Sequence, residues 1–252
     1  DDEYLIEKNE HIKHWSYLQQ IFIKDIGAGA GHPYVFYRPL QMATYMVDYS
    51  LWKLNVNGYH LTNILLHVSV ALGIYWLIYI IFENNFLSLL TGLLFVVHPI
   101  HTEAVTYISG RADPLALLFM LLSFILYIKS PPSKRKRIGI YVLMLCTYTL
   151  ALLSKESSVI LPVLLLLYSY SFKKKLEVKK FVSLASLAFI YILLRATVLK
   201  AILPDILSDT TLFQRLPGFF VAITNYIRLL FLPFNLHMEY WSELFYWRDL
   251  KA

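Results

Sequence analysis

Two aspartates and a glutamate, Asp1-Asp2-Glu3, open the chain, and a second concentration of chemistry lies in HPIHTEAVTYISGRADP at 98–114. That second stretch holds His98, His101, Glu103, Arg111 and Asp113 between the oily runs NFLSLLTGLLFVV and LALLFMLLSFILYI. Arg38 in YRPL, Lys155-Glu156 in LLSKESS and Arg195 in ILLRATV complete the set. Arginines on the same side as paired carboxylates make a grip for phosphate, because a guanidinium offers a planar fork of donors that fits its oxygens. His98, His101 and Glu103 invite a metal reading. The segment has no HExxH or comparable ligand spacing, so no metal is expected.

Plainer structural roles exist for several of these residues. Asp113-Pro114 reads as a helix N-cap followed by proline at the first helical position. Lys155-Glu156 fits a local ion pair at a helix corner. His60, Asn63 and His67 share one face at i, i+3 and i+7 and suit hydrogen bonding between membrane helices.

The elements that must position these groups are apolar. Of the 252 residues, 58% are hydrophobic and only 16% charged, against roughly a quarter charged in a soluble domain. Apolar segments cover about 59–82, 86–98, 113–129, 138–154, 157–172, 181–200 and 217–234. The expected fold is therefore all-α, a polytopic membrane helix bundle of about six or seven spans. The 19 Tyr and 5 Trp suit the membrane–water interface.

Charge sets the expected sidedness. The formal charge of +6 gathers in KSPPSKRKR at 129–137 and KKKLEVKK at 173–180, the pattern of short cytoplasmic loops. No nucleic-acid motif accompanies it, so nucleic acid is not an expected partner. By alternation residues 1–58, 98–113, 154–157 and 201–216 fall on the non-cytoplasmic side, with the polar groups named above. Cys146 is the single cysteine, which excludes an internal disulfide or a cysteine metal site. Residues 1–58 divide off as a first outer loop, 59–236 as the bundle, and 237–252 as a loop or cut point. Within the loop, EHIKHWSYLQQIF and PLQMATYMVDYSLW read as interfacial helices, with Trp15, Tyr45, Tyr49 and Trp52 at the membrane surface. GAGAGHP at 27–33 reads as flexible.

DDEYLI, YRPL, GYHLTNILLH, HPIHTEAVTYISGRADPLA and LLSKESSVILP occur in this order from Asp1 to Pro162. Together they resemble the transmembrane O-mannosyltransferases with C-terminal tetratricopeptide repeats and their prokaryotic relatives, within the GT-C superfamily. The resemblance covers the chain to about Asn235. It implies a preceding membrane helix, further spans and repeats downstream, and a multi-pass enzyme of the endoplasmic reticulum or bacterial cytoplasmic membrane with its site on the non-cytoplasmic side. The implied donor is a polyprenyl-phosphate sugar, dolichyl- or undecaprenyl-linked and most often mannose. The implied acceptor is a Ser or Thr hydroxyl of a protein, and no cofactor is implied. An aspartate base carries over to Asp1 or Asp2, with Asp1 preferred. Arg111 and Arg38 become the first candidates for the donor phosphate, ahead of Lys155 and Arg195, while His98 and His101 shape the pocket. The competing readings are a transporter or flippase using the same polar groups, and a non-catalytic anchor for a repeat domain. Charge gathered at one face disfavours the first, and the acidic pair beside arginines disfavours the second.

Overall fold

A computed structural model of the chain describes residues 2–129, 133–199, 212–234 and 236. Each of the seven apolar segments forms a helix. The long helices are α1 (Pro39–Trp52), α2 (Val56–Phe82), α3 (Asn85–Val97), α4 (Ala112–Ile128), α5 (Lys134–Ser154), α6 (Leu161–Ser171), α7 (Val178–Val198) and α8 (Leu212–Phe231). No strand occurs among the described residues. The chain is an all-α, polytopic helix bundle.

Four of these stretches are long and apolar enough to cross a membrane: Val56–Phe82, Ile108–Ile128, Arg135–Ser154 and Val178–Val198. A fifth follows if α3 and the stretch Pro99–Thr106, bent by 53°, count as one span. The bend falls at His98-Pro99, where proline removes a backbone donor and the residue before it is held extended. Glu156–Ser171 and Leu216–Phe231 are shorter apolar helices. Side chains such as Leu65, Leu72, Leu93 and Val97 stand exposed along these helices. In a bilayer these faces meet lipid, where every helical backbone group is already bonded within its own segment.

Helices α2 to α7 alternate in direction, so their connections gather at two ends. At one end Phe82 meets Phe172 edge-on at 5.7 Å, and Lys180 Nζ donates to the Tyr127 carbonyl at 2.9 Å. This basic end carries the loops at 83–84 and 172–177. The other end carries every motif of the sequence that lies within the described residues.

Two cores hold the molecule. One, among α4 to α7, is built on Met144, Tyr148, Leu152, Leu161, Leu165 and Leu184 with Tyr37 from the first loop. The second lies at the motif end, where Leu5, Ile12, Ile26, Met42, Tyr45, Tyr59 and Ile108 pack together. The loop of residues 1–58 is thus a packed layer. Tyr45, expected at the membrane surface, is 0% exposed, because Gln41, Tyr45 and Asp48 share the α1 face turned into the protein. Trp15, on a short 3₁₀ turn, is exposed and donates from Nε1 to Ser50 Oγ.

The GAGAG stretch is also packed, against the expectation of flexibility. Asn9 donates from Nδ2 to the Ile26 carbonyl and accepts from the His11 amide. A Cβ on Gly29 would lie 1.9 Å from Asn9 Oδ1. Glycine here permits close backbone approach. Gly29→Ala should therefore expel Asn9 from its two bonds and destabilise the outer layer by about 1–3 kcal/mol, seen as a lower thermal midpoint in detergent.

Candidate active site

The site is built on Arg111, the largest fully buried side chain among the described residues. It sits at the end of a 3₁₀ turn, Ile108–Arg111, that leads directly into α4. Its Nη2 forms an ion pair with Asp48 of α1 at 2.5 Å and also donates to the Tyr59 carbonyl. Nε donates to Asn63 Oδ1 at 2.8 Å, and Nη1 donates to Thr44 Oγ1 at 3.3 Å. The Tyr45 ring lies 4.7 Å from the guanidinium carbon. Each guanidinium nitrogen is engaged within the protein, and the side chain has no exposed surface. In this arrangement Arg111 binds α1 and α2 to the turn 108–111.

Asn63, expected as interhelical glue, completes this link by donating from Nδ2 to the Tyr107 carbonyl. His67 instead stacks on Phe95 at 4.9 Å. Gln41 donates from Nε2 to Tyr45 Oη and to the Ser109 carbonyl, while the Tyr45 hydroxyl donates to the Ile108 carbonyl at 3.0 Å. Burial pushes the Tyr45 phenol well above its ordinary pKa, against the opposing charge of Arg111, so it stays a donor. Gly110 lets the turn approach Thr102–Thr106, since a Cβ there would stand 2.7 Å from the Glu103 carbonyl oxygen.

Onto this turn the acidic motif docks. The Ser109 amide donates to Asp2 Oδ1 at 2.9 Å. Asp1 lies outside the described residues. Glu3 pairs with Lys8 at the surface, and the hydrogen bond and charge of Lys8 hold its carboxyl below the usual range.

A second charged group joins YRP to SKE. Arg38 grips Glu156 through two bonds, Nε to Oε2 at 3.0 Å and Nη2 to Oε1 at 2.8 Å, and its guanidinium lies over Phe36. Arg195 donates from Nη2 to the Val35 carbonyl, while its buried Nε has no hydrogen-bond partner among the described residues. Burial alone would raise the Glu156 pKa, but the hydrogen bond and charge of Arg38, with Arg195 adding, hold it below the ordinary value.

Lys155 turns the other way and pairs with Asp113 at 2.5 Å. Two expectations change here. Lys155 and Glu156 each find a partner on another element, because successive residues at an extended corner point apart. Asp113 is not the N-cap, since α4 begins at Ala112 with Arg111 in the cap position.

The histidines stand apart from these charges. His98 accepts from the Ile100 amide at Nδ1, so its contact with the Leu230 carbonyl places the proton on Nε2. His101 packs on Phe95 at 4.2 Å. Glu103 is exposed. Among the described residues, no group of three or more His, Cys, Asp or Glu is arranged to hold a metal ion. Between α2, α4 and α6 lies an apolar cavity of about 320 Å³, lined by Leu77, Leu117, Met120, Phe124, Leu164 and Tyr168 among others.

Sequence reasoning placed Tyr45 at the membrane surface and passed over the inward face of Gln41, Tyr45 and Asp48. Their i, i+4, i+7 spacing behind a helix-starting proline was the available signal.

Two outcomes follow from this geometry. Arg111→Met leaves Asp48 buried without its partner and should cost about 3–5 kcal/mol, whereas the double change with Asp48→Leu should recover most of the loss in thermal unfolding. For Glu156 the folded pKa lies below the unfolded one. Its contribution is therefore complete above about 4.5 and is lost as pH falls through the lowered folded value. Glu156→Gln should remove that acid-limb dependence from the thermal midpoint.

The sequence model of the dolichyl-phosphate-mannose-protein mannosyltransferases matches residues 14–214. Among curated proteins, human protein O-mannosyl-transferase TMTC1 is 39% identical over 135 residues, covering 52% of this chain and 15% of that protein. Human TMTC3 is 43% identical over 94 residues, 37% of this chain and 10% of that protein. The Xenopus laevis protein O-mannosyl-transferase tmtc2 is 32% identical over 190 residues, 73% of this chain and 23% of that protein. The alignments thus span between 10% and 23% of these relatives. No solved structure matches the chain. With more than half its length inside the matched family, the chain belongs to the dolichyl-phosphate-mannose-protein mannosyltransferases.

Proposed function

We propose that this chain carries the donor and acceptor face of a membrane mannosyltransferase that moves mannose from dolichyl-phosphate mannose to a Ser or Thr hydroxyl of a protein. The motif end faces the non-cytoplasmic side, leaving the lysine-rich loops in the cytoplasm. The observation that carries the reading is the meeting at one end of a docked carboxylate, Asp2 on Ser109, and the charged groups Arg38–Glu156–Arg195 and Lys155–Asp113.

Asp2 takes the proton of the acceptor hydroxyl as the hydroxyl oxygen attacks the anomeric carbon. The bond from that carbon to the phosphate oxygen breaks, and its electron pair stays on the departing dolichyl phosphate. A hydroxyl is a weak nucleophile until a positioned base removes its proton, an effect of about 10²–10⁴-fold. The phosphate gains charge as it leaves, so cations beside it stabilise the transition state more than the ground state. Arg38 and Arg195 supply this charge, with Lys155 at the rim. Arg38 already spends two donors on Glu156, while its Nη1 makes no hydrogen bond among the described residues. The isoprenoid tail enters the apolar cavity of α2, α4 and α6, where Leu117 lies one helical turn inside Asp113.

The test is transfer from labelled dolichyl-phosphate mannose in proteoliposomes containing the intact protein. Asp2→Asn should reduce transfer by about 10²–10⁴-fold. Asp1→Asn, assayed beside it, should reduce it far less. Full activity in Asp2→Asn would remove Asp2 from the mechanism, and loss in Asp1→Asn alone would give the base to Asp1.

A further inference from the structure

The contact that holds Asp2 is part of a longer line. The Ile108 carbonyl and the Ser109 amide belong to one peptide group. Tyr45 donates its hydroxyl proton to that carbonyl at 3.0 Å, and the amide on the other side donates to Asp2 Oδ1 at 2.9 Å. The backbone contains no cis peptide among the described residues, so the two bonds leave this peptide in opposite directions. Polarising the carbonyl strengthens the N–H as a donor, because hydrogen bonds in series reinforce one another in a low-dielectric interior.

The rest of the network fixes this line in place. Gln41 holds Tyr45 Oη at 2.8 Å and the Ser109 carbonyl at 2.9 Å. The Arg111 guanidinium lies against the Tyr45 ring, and the ring is fully buried. Tyr45 therefore has no freedom to release the Ile108 carbonyl. Of this arrangement, only the carboxylate at its end takes part in the proposed proton transfer.

We propose that Tyr45, seconded by Gln41, is a positioning residue for mannosyl transfer, acting on Asp2 through the Ile108–Ser109 peptide. This rests on the reading of Asp2 as the base. The phenol aims one carboxylate oxygen along a fixed N–H and leaves the other, Oδ2, to receive the acceptor proton. Losing the hydroxyl lets the carboxylate turn away from the attack line. Productive geometry is sensitive to displacements of this kind even when binding is preserved.

The experiment is a two-by-two comparison in proteoliposomes of the intact protein, with labelled dolichyl-phosphate mannose and acceptor protein. Its four forms are wild type, Tyr45→Phe, Asp2→Asn and both together. Tyr45→Phe keeps the ring on Arg111 and deletes only the hydroxyl. It should lower kcat by about 5- to 20-fold, leave KM for donor and acceptor within about twofold, and add no further loss to Asp2→Asn. A merely structural tyrosine would lower both backgrounds by the same factor, and that result overturns the inference. So does an unchanged kcat in Tyr45→Phe while Asp2→Asn is impaired. Full activity in Asp2→Asn would instead sink the base assignment itself, so the two failures are told apart. Gln41→Met should reproduce the kcat loss in weaker form.

Discussion

The ion pair between Arg111 and Asp48 is the constraint on which the motif end depends. A charge with no exposed surface is tolerable only when its hydrogen-bonding capacity is met within the protein. Arg111 meets this demand by drawing on α1 through Asp48 and Thr44, and on α2 through Asn63 and the Tyr59 carbonyl. Each partner must hold its place for the charge to remain buried. The turn 108–111, which supplies the arginine, is thereby fixed relative to two helices. Asp2 docks on that same turn. The geometry of the proposed base is thus inherited from a buried electrostatic requirement some way behind it.

The charged groups of the motif end divide into two kinds. Arg111 is consumed inside the protein and organises backbone. Arg38, Arg195 and Lys155 are partly exposed and paired with carboxylates or carbonyls. In the proposed function, these are the cations offered to the donor phosphate, whose oxygens would be exchanged for part of their carboxylate pairing. Pairing favours the ionised form of Glu156 and stops Arg38 from standing as an isolated cation beside apolar surface. This division follows from burial, which a position in a motif does not reveal.

Much of the architecture was legible in the residues. Each of the seven apolar runs lies on a helix, but among the described residues only four helices, or five with the bent pair, are long enough to cross a membrane, fewer than the six or seven spans expected. The lysine clusters at 129–137 and 173–180 separated the two ends, and the motifs gathered at the other one. What failed to carry over was local. The i, i+1 pair Lys155-Glu156 invited a neighbourly ion pair, yet the corner is extended and sends the two side chains to Asp113 and Arg38. Asp113-Pro114 resembled a cap, yet the 3₁₀ turn before it lets the helix start earlier. The GAGAG stretch looked loose because glycine carries no side chain, and for the same reason it packs where a Cβ would collide.

By itself the sequence determined an all-α membrane bundle, the two ends of that bundle, and the family, since these rest on composition, periodicity and ordered motifs that need no knowledge of contacts. The tertiary structure decided which charges are spent and which are offered. Arg38 and Glu156 lie 118 positions apart, and Ser109 and Asp2 lie 107 apart. Nothing in local propensity links residues at such separations. Only the packing of α1 and α2 around the turn at 108–111 buries one arginine, leaves another at the rim, and sets a tyrosine hydroxyl behind the peptide that holds the carboxylate.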